Sequence, residues 1–280
     1  MRVRKRCLPE GWYPESAEQA LREIEGMGAA ARAAVPRASA PAACAGIMPH
    51  AGWHFSGRLA LEVLSILSRG IDTIVIIGGH LRSSDRIVCC LEDAYDTPFG
   101  EIRADAQLRR ELDSGLDVAE DREDDNTVEI QLPLLRYLAP EVMALGMRAP
   151  PSSRAAALGV AIAKAGASLG RRVAVAGSTD LTHYGRSYGF SPAGGGAEAL
   201  LWVREVNDRR IVESMLALDI EAALDRADRE RSACSIGGAA AAMSFARACG
   251  AGSGRLVGYM TSHDIHPGES FVGYAGILFS

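Results

Sequence analysis

The hydrophobic positions of this 280-residue chain fall into short apolar runs separated by stretches with helical spacing. A β-branched run closed by glycines, such as DTIVIIGG at 72–79, is typical of a strand buried on both faces. Apolar residues three and four positions apart predict a helix. The pattern predicts strands at 43–48, 72–79, 85–92, 141–147 and 171–178 and in the closing segments RLVGYMTS and ESFVGYAGILF. It predicts helices at 17–34, 57–67, 105–113, 126–139, 153–169, 197–217, 219–228 and 235–249.

This alternation of strands and helices predicts an α/β fold. We expect a mixed, mainly parallel sheet with helices on both faces. Residues 41–280 are predicted to form a single α/β domain. Residues 1–40 are predicted to supply an N-terminal helix and an Ala/Pro-rich connector that pack on this domain.

Polar side chains follow three of the predicted strands. His50 lies just beyond the first strand, His80 directly follows TIVIIGG, and Asp180 and His183 follow VAVAG. Ligands of open α/β sheets bind outside the carboxyl ends of the strands. If these strands are parallel neighbours, the four side chains converge on one cleft. A single histidine in such a loop is also compatible with an ordinary turn.

Cys234 precedes a helix of small residues at 235–249. A helix N-terminus favours thiolate over thiol, so Cys234 is a candidate metal ligand or nucleophile. A buried residue at the start of the helix is an equally good interpretation. Two imidazoles and a thiolate, from His50, His80 and Cys234, suit Fe(II), Zn or Cu, although only the fold can bring these residues together.

Several further residues are candidates for catalysis or substrate binding. Asp180 and His183 lie three positions apart, as on one helical turn, and predict a proton-transferring pair. Glu129 suits the first turn of a helix and is also a candidate to orient a ligand. The aromatic side chains can stack on an aromatic substrate or belong to the core. The candidates for substrate contact are Trp53, His54, Glu129, Tyr184 and His263, of which His263 is in a loop that also suits a solvated turn.

Charge and composition restrict the partners. The formal net charge is −5, which argues against a nucleic-acid binder, since such proteins carry a basic face. No apolar run reaches the roughly 18 residues that span a bilayer. The basic N-terminus MRVRKR lacks the apolar region of a signal peptide, so we expect a cytoplasmic protein. The six cysteines show no CxxC pair.

The chain also resembles a known family. PHAGWHFSG, IIGGH, TPFGEIRAD, NTVEIQLPLL, GSTDLTHYG, the Cys234 segment and the closing strands occur in the order seen in the Memo family, which includes AmmeMemoRadiSam system protein B. The resemblance covers roughly residues 40–280. Memo proteins are similar to the LigB-like class III extradiol dioxygenases, which are non-haem iron enzymes.

The resemblance implies a metal pocket formed by His50, His80 and Cys234, with the cysteine in place of the dioxygenase glutamate. It makes Fe(II) the favoured ion, with Cu or Zn as alternatives. The chain departs from the family pattern in the shorter GGH block and at three single positions. These positions are Asn126, which stands where the family commonly has histidine, and the additional His54 and His263.

The favoured function is therefore a non-haem iron oxidoreductase of dioxygenase type. It would combine O2 with a small, aromatic-type substrate, with His183 oriented by Asp180 as the acid–base group. Two alternatives stay open. One is a cysteine-dependent hydrolase or transferase with Cys234 as nucleophile. The other is a non-catalytic metal- or peptide-binding protein of the Memo type. Whether the chain forms a homo-oligomer is also left open.

Overall fold

The computed structural model describes residues 1–34 and 43–280, and side chains for 1–28 and 43–280. Most of the predicted Ala/Pro-rich connector lies outside the described residues. The strands are β1 (Val3–Arg4), β2 (Ala45–Met48), β3 (Thr73–Gly78), β4 (Ile87–Cys89), β5 (Ala94–Tyr95), β6 (Ile102–Arg103), β7 (Val118–Glu120), β8 (Met143–Arg148), β9 (Val173–Ser178), β10 (His183–Tyr184), β11 (Gly254–Thr261) and β12 (Phe271–Phe279).

The helices include two π-helical turns, Trp53–Gly57 and Val203–Asn207, and two 3-10 turns, Arg186–Tyr188 and Ser262–Asp264. The α-helices are α1 (Ala17–Ala34), α2 (Arg58–Leu67), α3 (Ala106–Gly115), α4 (Asn126–Glu129), α5 (Leu132–Leu138), α6 (Ser153–Ser168), α7 (Gly196–Trp202), α8 (Asp208–Leu216), α9 (Ile220–Glu230) and α10 (Ile236–Ala248).

A large sheet runs in the order β10-β12-β2-β9-β3-β8-β4-β7, and β11 also pairs with β12. Its four central strands, β2, β9, β3 and β8, are parallel throughout. β12 is antiparallel to β2, and β4 is antiparallel to β8. The expected mixed, mainly parallel sheet in an α/β fold is therefore confirmed, and the carboxyl ends of β2, β9 and β3 lie side by side.

Helices cover both faces of this sheet. Every residue of β3 is buried, because its alternate side chains face two different clusters. Val75 and Ile77 pack with residues of α6 and α10. Ile74 and Ile76 pack with residues of α1, α2 and α5 on the opposite face. Burial on both faces explains why the sequence of β3 is apolar without interruption.

Helix α10 lies unusually close to the sheet because its first turn carries glycines. A Cβ on Gly238 would stand 2.2 Å from the carbonyl oxygen of Ile77, and one on Gly237 would stand 2.1 Å from that of Ala149. On the strand side, a Cβ on Gly177 of β9 would stand 2.7 Å from the Gly238 oxygen. Glycine at these positions lets two backbones touch, and this contact brings the N-terminal end of α10 to the strand ends.

The N-terminal segment contacts the rest of the molecule at several points. β1 pairs in parallel with β5, and β5 pairs with β6 to complete a three-stranded sheet. The backbone N–H of Trp53 donates to the carbonyl of Trp12 at 2.8 Å. Buried residues of α1, including Ile24, join the core beside α2.

The structure differs from the predicted elements in three respects. The helix predicted at 126–139 is broken into α4 and α5, because Pro133 has no N–H to donate to the carbonyl of Glu129. The helix predicted at 197–217 contains the π-helical turn at Val203–Asn207. The two-residue strands β1, β5, β6 and β10 are too short to produce a periodic signal. Among the described residues, no helix is both long enough and apolar enough to cross a membrane.

Candidate metal centre

The polar residues that follow the central strands meet at one edge of the sheet. His50 lies two residues beyond β2, His80 two residues beyond β3, and Asp180 two residues beyond β9. Because β9 lies between β2 and β3, these three loops are neighbours. Cys234 reaches the same place from the start of α10.

His50, His80 and Cys234 form a compact cluster. Their nearest donor atoms all lie within 4.8 Å of one another. Nε2 of His50 is 3.2 Å from Sγ of Cys234, and the two imidazole rings are edge to face with centroids 5.2 Å apart. Donors that surround one ion at about 2.0–2.3 Å lie roughly 3–4 Å from each other, so this cluster fits a metal ion after small adjustments.

Hydrogen bonds determine which nitrogen of His50 faces the cluster. The Ser178 hydroxyl donates its proton to the Thr127 carbonyl at 2.6 Å and therefore accepts from Nδ1 of His50, 3.2 Å away. Nδ1 thus carries the proton, and the lone pair of Nε2 points towards Cys234. Burial lowers the pKa of His50, although the Asp180 carboxylate partly offsets this effect. A neutral imidazole is the form that binds metals.

His80 is oriented by a carboxylate that the sequence analysis missed. Nδ1 of His80 donates to Asp125 at 3.3 Å, which leaves Nε2 available. Asp125 in turn faces the buried Arg148 guanidinium at 3.7 Å and accepts the backbone N–H of Thr127. Burial opposes ionisation of Asp125, but the hydrogen bonds from His80 and Thr127 outweigh it and lower the pKa. The sequence feature that could have identified Asp125 is its position as the N-cap residue of α4.

The backbone around Cys234 is tied to the neighbouring loops. Its N–H donates to the Asp180 carbonyl at 3.2 Å, and the Ser235 hydroxyl donates to the Gly79 carbonyl at 2.9 Å. Burial, followed by the nearby Asp180 carboxylate, raises the pKa of the Cys234 thiol. Desolvation therefore opposes the thiolate that a helix N-terminus would favour.

Asp180 and His183 also lie beside Cys234, with donor atoms of all three within 4.8 Å of one another. They do not share a helical turn, because His183 begins β10. Asp180 does not orient the His183 ring either: its Oδ1 accepts the backbone N–H of His50 at 2.7 Å. Nδ1 of His183 lies 3.1 Å from the Leu181 carbonyl and donates to it, so Nε2 is free.

Two clefts open next to this cluster and share Cys234. The first has a volume of about 370 Å³ and is lined by His80, His183, Tyr188, Ala227, Arg231, Ala233 and Cys234. The second, of about 640 Å³, extends past Gly79, Arg82 and Pro151. The His183 and Tyr188 rings meet edge to face with centroids 4.9 Å apart. The cluster is therefore accessible to a small molecule.

Two predicted substrate-contact residues belong to the core instead. Trp53 is buried, with its indole N–H bonded to the Ile130 carbonyl and its ring beside Tyr13. Tyr184 is fully buried, and its hydroxyl donates to the Gly194 carbonyl. Both side chains follow candidate ligands in sequence but point into the protein.

The other three predicted contacts also lie away from the two clefts. Glu129 binds the N-terminal segment through Cys7, Leu8 and Tyr13. His54 is exposed and lies near Glu23. Burial raises the pKa of Glu23, and the nearby His54 partly offsets this rise. Nδ1 of His263 lies within hydrogen-bonding distance of the Gly268 backbone in its own loop. Asn126, by contrast, lies next to the cluster and donates to the His50 carbonyl at 3.1 Å.

Comparison with known proteins identifies the family. The model of a family described as Memo-like protein matches residues 4–278. A MEMO1 family protein of Thermococcus kodakarensis is 32% identical over 250 residues, which cover 84% of this chain and 86% of the relative. One from Pyrococcus abyssi is 31% identical over 252 residues, with coverages of 84% and 86%. One from Pyrococcus furiosus is 29% identical over 250 residues, with coverages of 84% and 85%. The chain belongs to the Memo-like protein family.

Proposed function

We propose that this protein is a metal-dependent oxidoreductase of dioxygenase type. Its ion would be held by Nε2 of His50, Nε2 of His80 and Sγ of Cys234. The observation that carries the proposal is the clustering of these donors within 4.8 Å at the opening of a cleft. Their mixed nitrogen and sulfur chemistry suits Fe(II), with Cu or Zn as the alternatives.

Each residue of the cluster is prepared for this role by its surroundings. Ser178 and Asp125 accept hydrogen bonds from Nδ1 of the two histidines, which leaves both Nε2 lone pairs available to an ion. Such partners orient metal-binding histidines and raise their affinity. The thiol of Cys234 would give up its proton to an ion, whose charge offsets the effects of burial and of Asp180. A bound iron ion would supply electron transfer between O2 and a substrate held beside it.

His183 is the proposed acid–base group. Its Nδ1 is occupied by the Leu181 carbonyl, so a proton can be taken up or released only at Nε2. The side chain lines the 370 Å³ cleft with His80 and Cys234. A substrate hydroxyl placed there would lie within reach of both His183 and the ion. Asp180 would lie beside Cys234 and fix the backbone of His50 by accepting its N–H.

The cleft favours a small aromatic substrate. Its volume is at the lower end of the range for small-molecule sites. The edges of His183 and Tyr188 and the methyl groups of Ala227 and Ala233 offer apolar contact to a ring, and Arg231 adds a positive charge. The 3.2 Å contact between Nε2 of His50 and Sγ of Cys234 would also suit a base and a cysteine nucleophile. Burial raises the pKa of Cys234 and so disfavours the reactive thiolate that this alternative needs.

Metal content tests the proposal directly. The wild-type protein and the variants His50→Ala, His80→Ala and Cys234→Ala are reconstituted anaerobically with Fe(II), and their metal is measured by elemental analysis. We expect about one ion per wild-type chain and loss of tight binding in each variant, because two remaining donors hold an ion weakly. His54→Ala is the matched control and should keep its metal, since His54 lies near α1.

Oxygen consumption with a panel of catechols then separates an enzyme from a binding protein. Uptake that depends on His183 supports the oxidoreductase. Stoichiometric metal in all three alanine variants would refute the proposed ligands. A filled site without oxygen uptake for any catechol would favour the non-catalytic metal-binding alternative.

A further inference from the structure

One arginine lines the smaller cleft without a carboxylate partner. This cleft, of about 370 Å³, is the one that contains Arg231 together with His80, His183 and Cys234. Among the described residues that line it, none carries a carboxylate. Arg231 also forms no ion pair with any carboxylate of the described part of the chain. Its positive charge is therefore open to an anion that enters the cleft.

Two neutral carbonyls and an aromatic ring hold the guanidinium of Arg231 in place. Nη1 donates to the Gly189 carbonyl at 3.1 Å, and Nη2 donates to the Tyr188 carbonyl at 3.2 Å. Cζ lies 4.9 Å from the centroid of the Phe190 ring, as in a cation–π contact. These contacts orient the group, but they do not neutralise its charge and they leave further N–H donors available.

The backbone of Arg231 is in a conformation that glycine normally adopts. Arg231 is the C-cap residue of α9, with φ at 49° and ψ at 39°. The end of a helix often has this left-handed conformation, and glycine is favoured there because it has no Cβ. The chain thus keeps an arginine where glycine would be less strained. Strained non-glycine residues cluster at active sites and ligand-binding sites.

The larger cleft, of about 640 Å³, is less suited to an anion. It is lined by Arg82, but Asp225 and Asp228 line it as well. An anion that entered it would meet two carboxylates, whereas the smaller cleft presents an arginine and two histidines. Electrostatic attraction and repulsion therefore both favour the smaller cleft for a negatively charged molecule.

We propose that Arg231 selects small aromatic carboxylates as the ligands of the smaller cleft. The inference rests on the proposed function, in that it takes this cleft as the substrate site. The planar guanidinium donates to carboxylate oxygens in charge-assisted hydrogen bonds. The rings of His183 and Tyr188 and the methyl groups of Ala227 and Ala233 contact the aromatic part of the same molecule. Arg231 is thus a specificity-determining residue.

A comparison of two ligands of similar shape tests the inference. The full-length protein is titrated with benzoate and with its uncharged analogue benzamide, and binding is followed by ligand-observed NMR. We expect benzoate to bind roughly tenfold more tightly than benzamide, because it adds a charge-assisted hydrogen bond. In Arg231→Gln the ratio should fall to about one. The preference of the wild type should also weaken as the salt concentration rises.

Three further variants locate the effect. Arg231→Gly removes the same charge but suits the left-handed backbone, so it should lose the preference and keep the fold, which thermal unfolding checks. Arg229→Gln removes a charge from the same helix, from a side chain that pairs with Asp225, and should keep the preference. A preference lost in Arg82→Gln and kept in Arg231→Gln would place the anion in the larger cleft and overturn the proposal.

This test separates the inference from the proposed function. His50→Ala removes a proposed metal ligand and should keep the preference for benzoate, because Arg231 binds the carboxylate. Oxygen uptake with uncharged catechols, together with equal binding of benzoate and benzamide, would support the oxidoreductase and overturn the role of Arg231. An Arg231-dependent preference without oxygen uptake would do the reverse. Equally tight, Arg231-dependent binding of inorganic phosphate would show a general anion site and overturn the selection of aromatic carboxylates.

Discussion

Three histidines at or beside the cluster each bind a neighbour through Nδ1 and leave Nε2 available. The neighbours differ: His50 uses the Ser178 hydroxyl, His80 the Asp125 carboxylate and His183 a backbone carbonyl. A carboxylate increases the basicity of the opposite ring nitrogen more than a neutral oxygen does. His80, the more exposed of the two proposed metal-binding histidines, therefore has the stronger supporting partner.

The role of Asp125 can be tested with Asp125→Asn. Asparagine keeps an oxygen that can accept the Thr127 N–H and cap α4, but it removes the negative charge beside His80. We expect metal affinity to fall by roughly tenfold or more. Some stability should also be lost, because the carboxylate faces the buried Arg148 and its pKa is lowered in the folded state. The measurement is a competitive metal titration. Glu123→Gln is the control, because Glu123 also pairs with Arg148 but is largely exposed. Equal affinities in D125N and wild type would contradict the role.

Asp208 predicts a pH dependence of stability. Complete burial raises its pKa from 3.8 to about 7, although hydrogen bonds from Thr182 and Tyr259 oppose the rise. The folded state therefore binds this proton more tightly than the unfolded state. The stabilising contribution is full below about pH 4 and is lost as the pH rises through about 7.

Urea unfolding at a series of pH values measures this contribution. From about pH 4 to 7, Asp208 should lower the free energy of unfolding of the wild type by a few kcal/mol, and Asp208→Asn should lack that decrease. Parallel curves for the two proteins would show that Asp208 is not the titrating group.

At the scale of single residues, the sequence predicts which residues lie at the strand ends but not the direction in which a side chain points. His50, His80 and Asp180 could be located because each follows an apolar strand. Trp53 and Tyr184 are equally close to these positions in sequence, yet they pack into the core. Which way a loop side chain turns depends on partners distant in sequence, such as Ile130 for Trp53.

At the scale of elements, helix α10 determines where Cys234 lies. Its first turn touches the backbone of β3 and of the segment after β8 through Gly238 and Gly237. Helix and sheet normally keep a larger separation, set by side chains. The small residues that made this helix conspicuous in the sequence thus have a structural purpose that the sequence analysis did not identify.

Gly238→Ala tests this contact. The new Cβ would stand 2.2 Å from the Ile77 oxygen and 2.9 Å from its carbonyl carbon, so helix and strand must separate. We expect a loss of about 1–3 kcal/mol in the free energy of unfolding, together with weaker metal binding. Urea unfolding and metal titration provide the two readouts.

The control for this substitution is Gly26→Ala, on helix α1, where a Cβ would meet nothing within 4 Å. It should be neutral or stabilising by up to about 1 kcal/mol, because alanine favours helix more than glycine does. If Gly238→Ala behaved like Gly26→Ala, close contact would not be what positions α10.

Most long elements could be predicted, because their periodicity reflects burial on a continuous face. The helix predicted at 126–139 is an exception, because periodicity alone does not show that it is broken. Its apolar pattern continues through the break, but Pro133 interrupts the hydrogen bonds. The short strands β5 and β6 depend on pairing with each other and with β1, information that no local window contains.

At the scale of the whole molecule, Glu129 joins the N-terminal segment to the α/β domain. Its buried carboxylate accepts the N–H and thiol of Cys7, the N–H of Leu8 and the hydroxyl of Tyr13, at 2.8–3.1 Å. Residues distant in sequence thus converge on one side chain. From the sequence alone Glu129 is a candidate to orient a ligand, because these donors lie far from it along the chain.

Glu129→Gln should loosen this connection. The amide offers one acceptor oxygen and turns N–H groups towards donors that need an acceptor. We expect a cost of about 1–3 kcal/mol in unfolding free energy and faster proteolysis within residues 5–13. Tyr13→Phe removes a single donor and should cost less. Wild-type rates of cleavage in E129Q would show that other contacts hold the segment.

The three loops that carry His50, Asp180 and His80 leave adjacent parallel strands, whereas the walls of the smaller cleft come from Tyr188 and from residues 227–233. Strand spacing is nearly invariant, at about 4.8 Å, so the separation of His50 and His80, two of the proposed ligands, is set by the sheet. The positions of the chain segments that form the cleft walls are not set by this strand spacing. Substitutions in these walls can therefore change which molecules the cleft admits without moving His50 and His80.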